Sequence, residues 1–294
     1  MNISEYGASP HVDPIMQDLV RYDLCNHALE LEAYGMTVVP PEKARLSHGF
    51  ANRLRDAIVR TYEKRGDVVV GDPATATSAP RLDNYFYMIE EDDVFVEAAT
   101  NPVALTLVRW MLGQSAMLDI QAWIMKAAGG QSPNLHIDAA GVPPGAGSIA
   151  HMCNVSWLCT DYEGADDGPT VFVPGSHKLG RAPLAHEANV ETSPFKTFPL
   201  LGKAGSVAIW NGVTWHGAVA RTKPGLRVTL VQTYARSYMR TSVNYNGRLS
   251  PQMLQKYPEL ERLIGKPLYP FDDPQRVDPS RAEWSKAPEA DPYA

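Results

Sequence analysis

A histidine and a carboxylate stand two residues apart in Asn134-Leu135-His136-Ile137-Asp138. In an extended segment, side chains at i and i+2 point the same way, so His136 and Asp138 can reach one metal ion from one side. A second histidine would complete such a site. The best placed is His216 in Val213-Thr214-Trp215-His216-Gly217-Ala218, beyond the strand-like run Ser206-Val207-Ala208-Ile209-Trp210. Two histidines and one carboxylate make the facial set of non-haem Fe(II) oxygenases, which leaves coordination positions open for substrate and O2.

Three further features accompany this set. Pro169-Thr170-Val171-Phe172-Val173-Pro174-Gly175-Ser176-His177 lies between the two ligand segments, Trp215-His216-Gly217 closes a strand, and Arg227 follows His216 inside another strand. The order His136-x-Asp138, Pro174-Gly175-Ser176-His177, His216, Arg227 resembles the phytanoyl-CoA dioxygenase family of Fe(II)/2-oxoglutarate oxygenases. The likeness runs from about Gly35 to Arg236 and is most specific from Gln121 onward.

The resemblance implies Fe(II), 2-oxoglutarate as cosubstrate, and O2. The implied reaction is oxidative decarboxylation to succinate and CO2, coupled to oxidation, most often hydroxylation, of a C–H bond; desaturation, epoxidation and ring closure draw on the same chemistry. It also puts Arg227 at the end of the cosubstrate pocket, where a planar guanidinium takes a carboxylate bidentately. The alternative for Arg227 is a buried salt bridge, since a charge between apolar residues needs an anionic partner. Members of the family often carry a hydroxyl residue two positions after the distal histidine. This chain has Ala218 there, and Thr229, on the same strand face as Arg227, is expected to replace it.

Asn134 and Gln121 read either as groups that touch the keto acid or orient a ligand, or as structural amides. Trp157 aligns with an aromatic position that follows the first ligand pair in the family, which would make it pocket wall, with packing as its default role. Tyr85, in the aromatic run Tyr85-Phe86-Tyr87, reads as pocket wall, His151 as pocket wall or surface, and Trp215 as a pocket neighbour of His216. His177 belongs to a structural turn in the resembling family and is not expected to bind metal. A rival reading from another class is a redox-inert cupin-type metal protein, such as a sugar-binding module or isomerase. That reading gives Arg227 no task.

Residues 14 to 33 carry Ile15, Met16, Leu19, Val20, Leu24, Ala28 and Leu31 at helical spacing, which predicts one amphipathic helix ending near Gly35. Met36–Val39 reads as a short strand. A second helix is expected to open after Pro40-Pro41-Glu42 and run through Leu46, Phe50, Leu54, Ile58 and Tyr62 to Gly66. Residues 71–80 lack periodicity and read as a loop. Helical patterning resumes between Val94 and Leu112, restarted at Pro102.

From Met117 the chain becomes strand-rich. Along 118–126, Ile120, Ala122, Ile124 and Lys126 share one face and Asp119, Gln121, Trp123 and Met125 the other. Further strand signals at 153–160, 169–174, 205–210 and 226–235, with no alternating helices, argue for a sandwich or jelly roll. The resemblance narrows this to a double-stranded β-helix, a cupin-like jelly-roll core, with flanking helices. We read one domain over 1–294: a helical part to about 116, the core over about 117–236, and a C-terminal helix near Pro251–Ile264 with an extended tail. Gly145-Ala146-Gly147-Ser148-Ile149-Ala150 matches a dinucleotide fingerprint, but Pro143-Pro144 stands where a buried strand is needed. That segment reads instead as a mobile loop.

The 44% hydrophobic and 20% charged residues and the mean hydropathy of −0.25 fit a soluble globular chain. A net charge of −6 gives no footprint for nucleic acid or an anionic membrane, and no apolar run approaches the roughly 20 residues needed to span a bilayer. With no signal-peptide pattern, and with Cys25, Cys153 and Cys159 forming no framework, a cytoplasmic location is expected. The sequence gives no basis for an oligomeric state. The expected substrate is a mostly apolar small molecule rather than an acyl-CoA thioester, because Ala139 to His177 contains no Lys or Arg to meet phosphates. Arg81, Arg236 and Arg240 are the other possible sources of that charge.

Overall fold

Strand β2 (Met117–Lys126) shows how the architecture follows from alternation. Its even-numbered residues from Ile120 onward face one way and Gln121, Trp123 and Met125 the other, so a layer can be built on each side. β2 pairs antiparallel with β8 (Arg227–Ala235), and β8 with β3 (Met152–Leu158). β6 (Val207–Asn211) and then β1 (Met36–Val39) complete a five-stranded antiparallel sheet of order β1-β6-β3-β8-β2. A three-stranded sheet, β5-β4-β7, is formed by β4 (Thr170–Phe172), β5 (Phe198–Pro199) and β7 (His216–Ala218). The coordinates are a computed structural model and describe residues 12–265 apart from 81, 83, 84, 131, 140–148 and 246.

One face of the large sheet buries Cys153, Val155, Trp157, Val228, Leu230 and Tyr234 against helices α3 (Phe50–Gly66), α4 (Asp93–Ala99) and α5 (Pro102–Leu112). Burial pushes both the Cys153 and Cys159 thiols up, so they pack as small apolar groups. The opposite face meets the small sheet through Leu158, Tyr162, Phe172, Leu200, Ala208 and Trp210. The result is mainly β with flanking helices, two antiparallel sheets enclosing an inner layer, as expected of a jelly roll.

The expected helix over 14–33 is two helices, α1 (Val12–Arg21) and α2 (Cys25–Tyr34). Asp23 takes a left-handed conformation (φ 56°), and the Leu24 amide reaches back to the Leu19 carbonyl at 2.8 Å, a helix-ending pattern that periodicity does not reveal. The second predicted helix starts only at Phe50. Residues 41–45 form turns, Arg45 is left-handed (φ 51°), and Leu46 lies outside the helix. Two short C-terminal helices, α6 (Pro251–Lys256) and α7 (Glu259–Leu263), replace the single one expected there. The tail beyond 265 and most of the Gly145–Ala150 segment lie outside the described residues. Among the described residues, no helix is long and apolar enough to cross a membrane.

Candidate metal centre

His136 and His216 form a two-sided antiparallel bridge: the His136 amide donates to the His216 carbonyl at 2.8 Å and the His216 amide to the His136 carbonyl at 3.0 Å. The Asp138 amide donates to the Gly212 carbonyl at 2.9 Å, which fixes the other end of the same segment. A side chain at Gly212 would press on Met152 and Ala139, so this close approach of backbones depends on glycine. The backbone thus brings His136, Asp138 and His216 together, with one potential ligand atom from each within 4.8 Å of the others.

Backbone carbonyls set the imidazole tautomers. His136 Nδ1 lies 2.7 Å from the Asn134 carbonyl and His216 Nδ1 3.0 Å from the Thr214 carbonyl. A carbonyl can only accept, so Nδ1 carries the proton and the Nε2 lone pairs are left for a metal. Those Nε2 atoms face the two Asp138 oxygens, at 3.5 Å from His136 and 3.2 Å from His216. Burial pulls the Asp138 carboxyl upward, but the His136 and His216 rings, which donate to it when Nε2 is also protonated, outweigh burial and hold the group well below the usual carboxylate range. The bond that the protonated ring makes to Asp138 in turn raises His136 against its own burial; a metal on Nε2 takes the place of that proton. A neutral-N, neutral-N, carboxylate-O set suits a divalent first-row metal such as Fe(II).

Asn154 of β3 was not singled out by the sequence. Its Nδ2 donates to Asp138 Oδ2 at 2.7 Å, and its Oδ1 accepts from the Thr233 hydroxyl at 2.7 Å. The available signal was its polarity at an inward position of a buried strand. Trp210 and Phe172 flank the His216 ring, with centroids at 5.3 and 6.0 Å, and leave it 6% exposed.

Arg227 lies on the same inner layer. It is 3% exposed, donates to the Gly168 carbonyl and lies over the Tyr162 ring, with its carbon 5.3 Å from the centroid. Among the described residues its Nε has no partner and no carboxylate pairs with it. The salt bridge that was its alternative role is therefore absent among them. Thr229 shares the face and is hydrogen bonded to the Tyr162 hydroxyl, so Tyr162, also not singled out, joins Arg227 and Thr229.

The remaining expected site residues fall elsewhere. Gln121 is buried on the helix-packed face, where it donates to the Phe95 carbonyl at 2.8 Å, because it pairs across the strands with Gln232 rather than with Arg227 or Thr229. Trp157 is on that face too, donating to Gln232 Oε1 at 2.9 Å and packing edge-on against Phe50. Tyr85 packs against Phe86 and Trp123, again on the helix side. Trp215 points away from the metal group into a cluster with Leu135, Val171 and Val173, its Nε1 bonded to the Arg181 carbonyl at 2.7 Å. Asn134 acts through its backbone carbonyl, and its side chain is exposed. His151 pairs with the Tyr238 hydroxyl at 2.7 Å. His177 lies 3.2 Å from the Glu32 carbonyl and is not among the converging groups. Its turn is held by Ser176 Oγ, which accepts from the Trp215 amide at 2.8 Å.

A family model described as phytanoyl-CoA dioxygenase (PhyH) matches residues 34–228, about two thirds of the chain. The chain belongs to the phytanoyl-CoA dioxygenase family. Membership makes it an enzyme of the dioxygenase type, and the match spans both histidines, Asp138 and Arg227. This phytanoyl-CoA dioxygenase family member is 27% identical over 261 residues to Dioxygenase af480 of Aspergillus fumigatus, covering 84% of this chain and 80% of that one. Its fold is similar to that of HygX from Streptomyces hygroscopicus, solved with nickel and 2-oxoglutarate (TM-score 0.57, 17% identity, 74% of this chain and 88% of that one). It is also similar to that of the epimerase SnoN, solved with Fe3+, alpha ketoglutarate and nogalamycin RO (TM-score 0.56, 20% identity, 78% and 93%).

Proposed function

We propose that this family member is an Fe(II)- and 2-oxoglutarate-dependent oxygenase, built as one domain, that hydroxylates a C–H bond of a mostly apolar small molecule. The observation that carries the reading is the combination, on one inner layer, of three converging ligand atoms with a buried guanidinium that has no carboxylate partner among the described residues. His136 Nε2, His216 Nε2 and one Asp138 oxygen would hold the metal. Arg227 would receive the distal carboxylate of 2-oxoglutarate, with Thr229 and Tyr162 beside it. When bound, Fe(II) with this cosubstrate and O2 supplies oxidative decarboxylation coupled to C–H oxidation.

The chain's own contribution is positioning and dryness. The carbonyls of Asn134 and Thr214 hold both imidazoles in the ligating tautomer, and Asn154 holds the carboxylate. Leu158, Phe172, Leu200 and Trp210 form a buried apolar cluster on the inner layer, with Phe172 and Trp210 against the His216 ring, and would keep water from that side of the metal group. A redox-inert cupin-type protein would have no need for Arg227. Fully buried free thiols at Cys153 and Cys159 fit a reducing, cytoplasmic setting.

For the substrate, an acyl-CoA thioester is the alternative. Ile124 on β2 and Ile149, in the bend before β3, are exposed apolar residues on either side of the first ligand pair in sequence. Arg236, one source of charge for a coenzyme A phosphate, is buried and bonded to the carbonyls of Ala150 and Met111. Anaerobic addition of Fe(II) and 2-oxoglutarate is expected to give the weak visible charge-transfer band of this chelate. Succinate release and product are then compared for an acyl-CoA series and matched uncharged acids, esters and polycyclic compounds. No band would remove the cofactor reading. Coupled turnover of thioesters alone would remove the substrate reading.

A further inference from the structure

Lys126 is the last residue of β2, and its cross-strand partner is Arg227. The two side chains therefore leave the sheet on the same inner face, side by side. Lys126 is 6% exposed, and its ammonium donates to the Val219 carbonyl at 2.6 Å and to the Ser132 hydroxyl. An ammonium has three N–H donors, so one remains without a partner among the described residues. The carbonyls that hold the two cations are neighbours: Arg227 donates to Gly168, and the amide of Val219 donates to Pro169, the next residue.

Among the described residues, neither cation has a carboxylate partner. Asp167, which adjoins Gly168, is occupied by Arg221 and Lys223, at 3.3 and 3.0 Å. Two buried positive charges on adjacent strands repel each other and lose hydration, so the arrangement is favourable only when an anion joins them. Resting on the oxygenase reading above, we infer that Lys126 is a second cationic anchor for the distal carboxylate of 2-oxoglutarate, acting together with Arg227.

The charges around Lys126 give the inference a distinctive signature. Burial pushes its ammonium down to about 8, with the guanidiniums of Arg227 on β8 and Arg221 beyond β7 adding to the effect. Arg221 is neutralised by Asp167, and burial pushes the Tyr162 hydroxyl, from the segment after β3, above its ordinary range. In this group, only Lys126 changes charge just above pH 8. A bound carboxylate restores its proton. Above about pH 8, cosubstrate binding must therefore take up a proton, and its affinity falls by up to about tenfold per pH unit; below that pH, binding is insensitive to this group.

The test is calorimetric titration of 2-oxoglutarate into the Mn(II)-loaded full chain without O2, at about pH 7 and about pH 9, in buffers of different ionisation enthalpy. Wild type is expected to bind more weakly at the higher pH and to take up a fraction of a proton there. Lys126→Gln should weaken binding about 10- to 100-fold, the scale of a charge-assisted hydrogen bond, and abolish proton uptake. In turnover, the loss should fall mainly on KM for 2-oxoglutarate. Lys126→Arg, which stays charged, should retain most of the affinity but take up no proton, and it serves as the reporter if the Gln variant fails to fold. Equal affinity and equal proton uptake in wild type and Lys126→Gln, or undiminished uptake in Lys126→Arg, would overturn the inference and leave the oxygenase reading intact. Failure of the Mn(II)-loaded wild type to bind 2-oxoglutarate would remove the oxygenase reading itself, and this inference with it.

Discussion

The two faces of the five-stranded sheet are made from alternate residues of the same strands, yet they end in opposite states. On the helix-packed face the polar tips find partners within the chain: Tyr234 donates to the Ala99 carbonyl at 2.9 Å, and Trp157 and Gln121 donate to Gln232 and Phe95. Among the described residues, the strand atoms left over there, Gln121 Oε1 and Gln232 Nε2, are an acceptor and a donor on directly paired residues. On the inner face, among the same residues, the strand atoms left over are the Arg227 and Trp210 N–H groups, both donors. The first face is complementary to itself. The second is complementary to an acceptor, and the positive charge of Arg227 and Lys126 makes that acceptor an anion.

The contrast breaks first at the metal group. His216→Ala removes one of three ligands and is expected to abolish both metal binding and 2-oxoglutarate decarboxylation, measured by metal content and succinate release. Retained metal at full stoichiometry would mean that the inner face is not a metal site. Next in size is Arg227→Lys, which should weaken 2-oxoglutarate by roughly 1.5–3 kcal/mol, or about 10- to 150-fold, with metal affinity unchanged. An unaltered KM for 2-oxoglutarate would make Arg227 structural. Asn154→Ala releases one Asp138 oxygen and leaves the Thr233 hydroxyl without its acceptor. A drop in metal affinity of about 10- to 100-fold is expected, read by competition with a chelator.

Parity explains what the sequence revealed and what it hid. The long strands β2, β3, β6 and β8, the jelly-roll class and the meeting of His136, Asp138 and His216 were legible, and Arg227 stood out, because alternation, spacing and a charged residue inside an apolar run are local signals; the two-residue strand β5 is too short to leave such a signal. Gln121 was open between the site and a structural amide and Trp157 between the site and packing, and their strand positions put both on the other face. The bulge between Leu118 and Ile120, which sets the register of the Gln121 pairing, has no sequence mark. Asn154 carried no mark of a carboxylate partner, because its contact with Asp138 exists only once the chain has folded. Tyr162 and Lys126 depend in the same way on neighbours distant in sequence. The break between α1 and α2 was missed for the opposite reason: apolar spacing continues through Asp23 although the backbone does not.

The smallest expected effect tests the other face. Trp157 is fully buried, its ring centroid lies 5.0 Å from that of Phe50, and its Nε1 is the donor that satisfies Gln232 Oε1 at 2.9 Å. Trp157→Phe keeps an apolar ring but removes that donor and part of the ring volume, leaving a carbonyl unpaired in a dry layer. The loss should be about 1–3 kcal/mol of stability for the unpaired group, with a cavity contribution on top, against a total that is typically only about 5–15 kcal/mol. Urea unfolding should therefore shift clearly to lower denaturant. Metal affinity and KM for 2-oxoglutarate should stay within about twofold, because the strand keeps its inner residues Asn154, Ser156 and Leu158 in register with β8. A variant with wild-type stability and a raised KM would reverse the prediction and show that the helix-packed face takes part in the site.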